Sequence, residues 1–255
     1  MLADIEYVKR IVVEAGKAAL LRCGTVDSEF KADESLVTDV DRETEKFLEE
    51  RLNAKYPGYA FVGEEYGWRG DRSQPVWACD PIDGTTNYVW GIPQWCVSVG
   101  LLHEGVPMLG AIYVPRLDEL FWAVRGEGAY CNGVRLHTTD RDSLHVEDTI
   151  CLTSNALKSL NSEAINGRIR SFGSIATELC YTARGNVCAT VGLKEGIVDI
   201  AAALCICGEA GCVFEYLEGG AVDISTLLEQ SRTYKHFAYG PPRLVKHLQT
   251  ILNPK

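Results

Sequence analysis

Positive charge is what this 255-residue chain lacks: 25 Lys and Arg stand against 35 Asp and Glu, a formal net charge of −10. That balance argues against nucleic acid or an anionic membrane as a partner. It leaves a phosphorylated ligand open, provided that bound cations reverse the local sign. Long apolar runs are missing as well. The longest, Ile200 to Cys207, is far too short to cross a bilayer. Met1-Leu2-Ala3-Asp4-Ile5-Glu6 carries acid where a secretion signal needs base, so none is expected. The five His are isolated, and Cys205-Ile206-Cys207 is not a zinc spacing. The ten Cys lie largely in apolar segments, where a free thiol behaves as a small hydrophobe. They are expected to be reduced core thiols of a cytoplasmic protein.

What is present is an ordinary globular composition, 46% hydrophobic and 24% charged, at a length that can bury a sizeable core. Apolar residues at helical spacing predict a helix from Leu2 to about Leu21, and a second is expected from about Arg42 to Ala54. Between them lies a polar, acidic loop, Asp27 to Asp41. Ala60 to Val62 reads as a short strand breaking into Gly63-Glu64-Glu65. From Trp95 to His137, segments rich in Val, Tyr, Trp and Leu alternate with turn signals, which predicts an antiparallel meander. A polar junction, Thr138 to Val146, then precedes alternating elements. Strands are expected at Thr149–Thr153, Arg168–Phe172, Asn186–Val191 and Cys212–Glu215. Helices are expected at Ala156–Gly167, Ser174–Arg184, Asp199–Gly211 and Arg243–Leu252. The division is into residues 1–140 and 141–255 of one compact unit, without internal repeats.

One stretch organises the chain: Val76-Trp77-Ala78-Cys79-Asp80-Pro81-Ile82-Asp83-Gly84-Thr85-Thr86-Asn87. Pro81 biases Asp80 toward extended backbone, so Asp80 is expected at a strand end. Asp83 with Gly84 and Thr85 resembles the start of a helix, whose N–H groups point forward. Two hard oxygen ligands beside a helix start suit a divalent cation and a phosphate held together. The plainer alternative is a turn in which Asp83 is only an N-cap. Glu64-Glu65 and Asp199 repeat the pattern of acid just after an apolar strand or at a helix start. Carboxylates converging without cations would repel one another. Magnesium, with its preference for octahedral oxygen ligands, would relieve that, and paired metals can clamp both oxygens of an in-line displacement.

Gly63-Glu64-Glu65, Asp80-Pro81-Ile82-Asp83-Gly84-Thr85-Thr86-Asn87, Arg170-Ser171-Phe172-Gly173-Ser174, Val198-Asp199-Ile200-Ala201-Ala202 and Glu209-Ala210-Gly211 follow the order and spacing of the inositol monophosphatase family. Leu36-Val37-Thr38 leading to Asp41 is similar to that family's N-terminal motif. The resemblance runs from about Lys31 to Gly211. It implies an α/β (α+β) fold, a layered α-β-α-β-α sandwich of the sugar-phosphatase type, in a homodimer. It also implies lithium-sensitive, magnesium-dependent hydrolysis of a phosphate monoester with two or three ions. By that resemblance Glu64, Asp80 and the Ile82 carbonyl would hold one metal, and Asp80, Asp83 and Asp199 a second. Thr85 with Asp41 behind it would orient and help deprotonate the attacking water, with Glu64 also counted in the catalytic set. The N–H groups of Gly84 and Thr85 would hold phosphate. Gly173, Ser174 and Ile175, with Asp83 and Asp199, would meet the substrate, a small phosphorylated metabolite. Glu65 is open between a supporting role and a solvated acid, and Lys31 between balancing the acidic loops and lying in solvent. Trp77, Trp90 and Trp95 are expected to pack.

The sequence departs from the family where the substrate's alcohol would bind. The glutamate seven residues before the last metal aspartate is Gly192 here, with Lys194 and Glu195 nearby, and the usual tryptophan before Asp199 is Val198. A site lacking a hydroxyl acceptor loses discrimination for that polyol. Inositol phosphate is therefore one candidate beside fructose 1,6-bisphosphate, histidinol phosphate, 3′-phosphoadenosine 5′-phosphate and NADP. Two further alternatives are an aspartyl-phosphate phosphatase, which needs its two aspartates one residue apart, and a non-catalytic metal- or phosphate-binding module.

Overall fold

The computed structural model describes residues 3–32, 34–230 and 232–252. Helix α1 (Ile5–Leu20), a short hairpin of β1 (Ser28–Phe30) and β2 (Leu36–Thr38), and α2 (Asp39–Lys55) come first. Next are β3 (Ala60–Gly63), β4 (Gly67–Arg69), β5 (Val76–Asp83), the short helix α3 (Thr85–Val89), β6 (Cys96–His103), β7 (Val106–Val114), β8 (Glu119–Val124), β9 (Gly128–Cys131) and β10 (Val134–Arg135). These strands form an eight-stranded sheet in the order β10-β9-β8-β7-β6-β5-β3-β4. The meander from β5 to β10 is antiparallel throughout, as the turn signals predict.

The rest of the chain builds a second sheet. It comprises β11 (Thr149–Leu152), α4 (Ser154–Ser159), a 3-10 turn (Ser162–Ala164), β12 (Arg168–Arg170), α5 (Ile175–Arg184), β13 (Ala189–Gly192), α6 (Ile197–Glu209), β14 (Val213–Tyr216), α7 (Ile224–Gln230), β15 (Phe237–Gly240) and α8 (Pro242–Ile251). The five strands run β12-β11-β13-β15-β14. Three apolar clusters define the layers. One joins α1 and α2 to the large sheet, a second sets α5 and α6 between the two sheets, and a third joins the small sheet to α4 and α8. This is the five-layer α-β-α-β-α sandwich.

Strand β5 sits at the centre, buried along its whole length between β3 and β6. Successive side chains point to opposite faces, so Trp77 and Cys79 join the α1/α2 cluster while Val76 and Ala78 face α5 and α6. Helix α6 lies across β5 to β9 of the large sheet although it belongs to the later half of the chain. It comes close because β6 and β7 carry Gly100 and Gly110 beneath it. A Cβ on Gly100 would stand 2.6 Å from the Ala202 backbone nitrogen, and one on Gly110 would collide with the Ala202 carbonyl.

Several elements differ from expectation. Helix α2 begins three residues early because Thr38 and Asp41 form a capping box, each side chain bonded to the other's backbone N–H. Strand β5 does not stop at Asp80. It continues to Asp83 through a register shift against β6, with Pro81 in the irregular part, where no ladder donor is needed. The expected helix Ala156–Gly167 is only α4 and one 3-10 turn, begun afresh when the Asn161 side chain accepts from Glu163 N. Helices α5 and α6 begin at Ile175 and Ile197, the latter two residues before Asp199. Strands β4 and β15 and helix α7 lack a strong pattern of their own. Trp77 and Trp95 pack in the core, but Trp90 is 74% exposed. All ten cysteines are buried free thiols, and among the described residues no helix is long and apolar enough to cross a membrane.

Candidate active site

The site lies where β5 gives way to α3. Gly84 makes the turn, at φ 93° and ψ 42°, a left-handed conformation that a residue with a Cβ rarely adopts. It is also the N-cap of α3, so Asp83 is the last residue of a strand and not a helix cap. The Asp83 carboxylate instead crosses to α5. Its Oδ2 accepts from Ser174 Oγ at 2.5 Å and from Ala176 N at 2.7 Å. Burial raises the Asp83 carboxyl to about 6, against the pull of those donors.

Asp80, 2% exposed, turns Oδ1 onto the N–H of Ile82 at 2.9 Å. Burial, then the charges of Glu64, Asp83, Asp199 and Asp41, push its carboxyl far above the usual range. Asp199 sits in the first turn of α6, where its Oδ2 accepts from Gly196 N at 2.6 Å. It too is raised by burial, then by Glu64, Asp83 and Glu195. Asp80, Asp83 and Asp199 thus each have one oxygen held by a protein donor and feel one another's charge.

Thr85 and Asp41 meet as the sequence suggested. Thr85 Oγ1 lies 3.2 Å from Asp41 Oδ1 and 3.1 Å from the Ile82 carbonyl, so its single hydrogen serves one acceptor at a time. Asp41 is fully buried and fixed by Thr38, whose N–H and hydroxyl donate to Oδ2 at 2.9 and 2.5 Å. Burial raises its carboxyl.

Glu64 stands at the rim, just after β3, and shares Lys31 with Glu65, at 2.9 and 2.6 Å. Of the two readings open for Glu65, the solvated acid is thus excluded. Both acids leave the strand in a turn rather than on its pleat, so strand alternation does not separate them. Burial lifts the Glu65 carboxyl to about 7 even with Lys31 donating to it. Lys31 is the balancing cation of this rim.

Three side chains without an assigned role hold the loops. Glu45, fully buried on α2, accepts from Glu65 N at 2.7 Å and Tyr66 N at 2.9 Å and so fixes the turn that carries Glu64. Asn87 Nδ2 donates to the carbonyls of Gln94 and Phe172, at 2.5 and 2.6 Å, tying α3 to the loop before α5. Glu178 accepts from Phe172 N and Gly173 N. Gly173, Ser174 and Ile175 are thus brought beside Asp83 and Gly84. Glu45 was findable: it falls with Val40, Asp41, Thr44, Leu48 and Leu52 on the buried stripe of α2, where an acid is out of place.

These carboxylates bear on whether the site suits a metal. As they stand, no three His, Cys, Asp or Glu side chains among the described residues are arranged to hold an ion. Glu64 is engaged by Lys31, and the Ile82 carbonyl by Thr85. The chemistry of the donor set nevertheless fits a hard divalent cation. All the donors are oxygens, and the carboxyls of Asp80, Asp83 and Asp199 are raised first by burial and then by neighbouring carboxylates, both of which a cation would offset.

Comparison with known proteins gives the family. The model of the inositol monophosphatase family matches residues 4–247. A protein of Aquifex aeolicus named fructose-1,6-bisphosphatase/inositol-1-monophosphatase is 32% identical over 247 residues, covering 91% of this chain and 92% of its own. One of Pasteurella multocida named Nus factor SuhB is 33% identical over 239 residues, 88% and 85% of the two chains. The solved inositol monophosphatase (IMPase) of Thermotoga maritima superposes with a TM-score of 0.84 at 25% identity, over 96% of this chain and 95% of its own. The chain belongs to the inositol monophosphatase family and is a phosphoric monoester hydrolase.

Proposed function

We propose that this enzyme is a magnesium-dependent, lithium-sensitive phosphomonoesterase acting on a small phosphorylated polyol, sugar or related metabolite. The observation that carries this reading is the meeting of two buried aspartates, Asp80 and Asp83, and the half-buried Asp199, which repel one another, with the Thr85–Asp41 hydrogen bond. Asp80, Asp83 and Asp199, joined by Glu64 and the Ile82 carbonyl, would hold the cations. Bound there, magnesium neutralises the carboxylates and supplies the Lewis acidity that phosphoryl transfer to water requires. The chain's own residues aim the attack. Thr85 Oγ1 donates to Asp41 and accepts from the incoming water, which fixes the water's direction. Asp41, held by Thr38, is the acceptor toward which the proton moves. The backbone N–H groups of Gly84 and Thr85 and the Gly173-Ser174-Ile175 segment are the phosphate and substrate contacts.

The substrate is not assigned to inositol phosphate. Position 192, where the family places a hydroxyl-binding glutamate, lies in β13 under the ring of Phe237, and any Cβ there would collide with that ring. The reading extends to a single catalytic unit working as a homodimer in the cytoplasm; the ten free buried thiols support the reducing compartment. Phosphate release from a panel of phosphomonoesters, with magnesium and with added lithium, tests the proposal. Release that depends on magnesium and is lost in Asp80→Asn supports it, whereas equal release in chelator overturns the metal mechanism.

A further inference from the structure

Beside Asp83 lies a cavity of about 180 Å³, lined by Glu178 and Glu195 together with Thr153, Asn155 and Ser174, and by no basic side chain. Glu178 is 1% exposed. Its Oε1 is occupied by the N–H groups of Phe172 and Gly173, at 2.6 and 3.3 Å, but its Oε2 is buried with no partner. Thr153 Oγ1 is also buried without a well-formed hydrogen bond, although it lies against the Glu195 carboxyl. Buried acceptors are nearly always satisfied, so an orphaned one on a cavity wall, here Glu178 Oε2, marks a place where a donor arrives.

Glu195 is put there by its backbone. Lys194, just before it, adopts φ 68°, in the left-handed region that non-glycine residues seldom occupy. Thr233 then clamps Glu195 from both sides. Glu195 N donates to Thr233 Oγ1 at 3.1 Å, and Thr233 N donates to the Glu195 carbonyl at 2.9 Å. With Gly192 closed off by Phe237, the acid nearest the cavity on this segment is three residues further on. Burial lifts the Glu178 carboxyl to about 8 and the Glu195 carboxyl to about 7, and Asp83 adds to both. The cation tempering Glu195 is Arg232, an exposed residue.

We propose that this cavity binds an ammonium group on the alcohol part of the phosphate monoester substrate, with Glu178 Oε2, the Glu195 carboxylate and Thr153 Oγ1 as its acceptors. This rests on the phosphomonoesterase reading above. An ammonium brings three donors and a positive charge. It can serve all three acceptors and offset the buried acids, whereas a neutral hydroxyl brings one donor and no charge.

The test uses matched pairs. Hydrolysis is measured with magnesium on glucosamine 6-phosphate against glucose 6-phosphate, and on phosphoethanolamine against 2-hydroxyethyl phosphate. Binding is measured by calorimetry with 3-aminopropylphosphonate against 3-hydroxypropylphosphonate, which cannot be hydrolysed. At least one ammonium ester should exceed its neutral partner about tenfold in kcat/KM, and the aminophosphonate should bind about tenfold tighter, a difference of ~1.4 kcal/mol. Glu195→Gln and Glu178→Gln should bring these ratios close to one. Glutamine keeps an oxygen for the Phe172 and Gly173 N–H groups, so the second variant retains that turn. Equal values within each pair in the wild type, or a preference that survives both variants, overturns the ammonium site while leaving the phosphatase intact. A binding preference that the variants erase, with no ester hydrolysed, keeps the ammonium site and overturns the phosphatase. Absence of both overturns both.

Discussion

At the rim of the site, Glu64 and Glu65 share Lys31, and Glu45 behind them spends its charge on two backbone N–H groups. On the floor, Asp80, Asp83 and Asp199 make no ion pair among the described residues and accept only from neutral N–H, hydroxyl and thiol groups. The rim has one cation to share among its acids, while the floor has none among the described residues. Opposite charge nearby favours an ionised carboxylate, and like charge and burial disfavour it. Three such acids standing together without an ion pair are what the proposed metal site rests on. The contrast also separates two tasks: Glu45 and Lys31 hold the rim turn that carries Glu64, and the floor aspartates gather beside it.

The contrast can be broken from the floor upward. Asp80→Asn should cost the most, about a thousandfold or more in kcat/KM for phosphate release, since it removes a charge on which several kcal/mol of metal-assisted stabilisation depends. Circular dichroism should show the fold retained. Asp41→Asn keeps the shape of the Thr85 partner but not its basicity, and should cost about a hundredfold in kcat. Magnesium at ~100 times its dissociation constant should stabilise the wild type by about 2.7 kcal/mol, seen as a rise of about 5 °C or more in Tm. Chelator should reverse that rise, and Asp199→Asn should blunt it. At the rim, Glu45→Ala should lower stability by about 1–3 kcal/mol in urea unfolding, because two buried N–H groups lose their acceptor. Smallest of all, Lys31→Ala should change stability by less than about 1 kcal/mol, as partly exposed ion pairs do. A Lys31→Ala loss of kcat/KM as large as that of Asp80→Asn would erase the distinction between rim and floor.

Much of this arrangement was legible in the sequence, for reasons that differ from part to part. The meander was readable because its turns carry Asn-Gly and Glu-Gly signals between alternating segments. The meeting of Thr85 with Asp41 was readable through family motifs, but not from local patterning, because 44 residues separate them. Asp83 was misplaced as a helix start because a register shift lets β5 run past Pro81, and such irregularities depend on the partner strand rather than on the strand itself. Of the two readings open for Glu65, the structure excludes the solvated acid, since its side chain is 7% exposed and paired with Lys31. The shared use of Lys31 is a tertiary fact with no local signature. Strand β15, Phe-Ala-Tyr-Gly, is too short to show a period, and its neighbours β13 and β14 create it.

The close seat of α6 on β6 and β7 has a consequence for how the site is dimensioned. Asp199 rides on that helix and Asp80 on the adjacent strand, so the gap between them is set by how far the helix stands off the sheet. Two missing methyl groups, at Gly100 and Gly110, set that stand-off. They act as a spacer of zero thickness. Adding a methyl at Gly110 would lift one wall of the site relative to the other without altering any residue in it. The geometry of the chemistry is thus adjustable from positions that never touch the substrate.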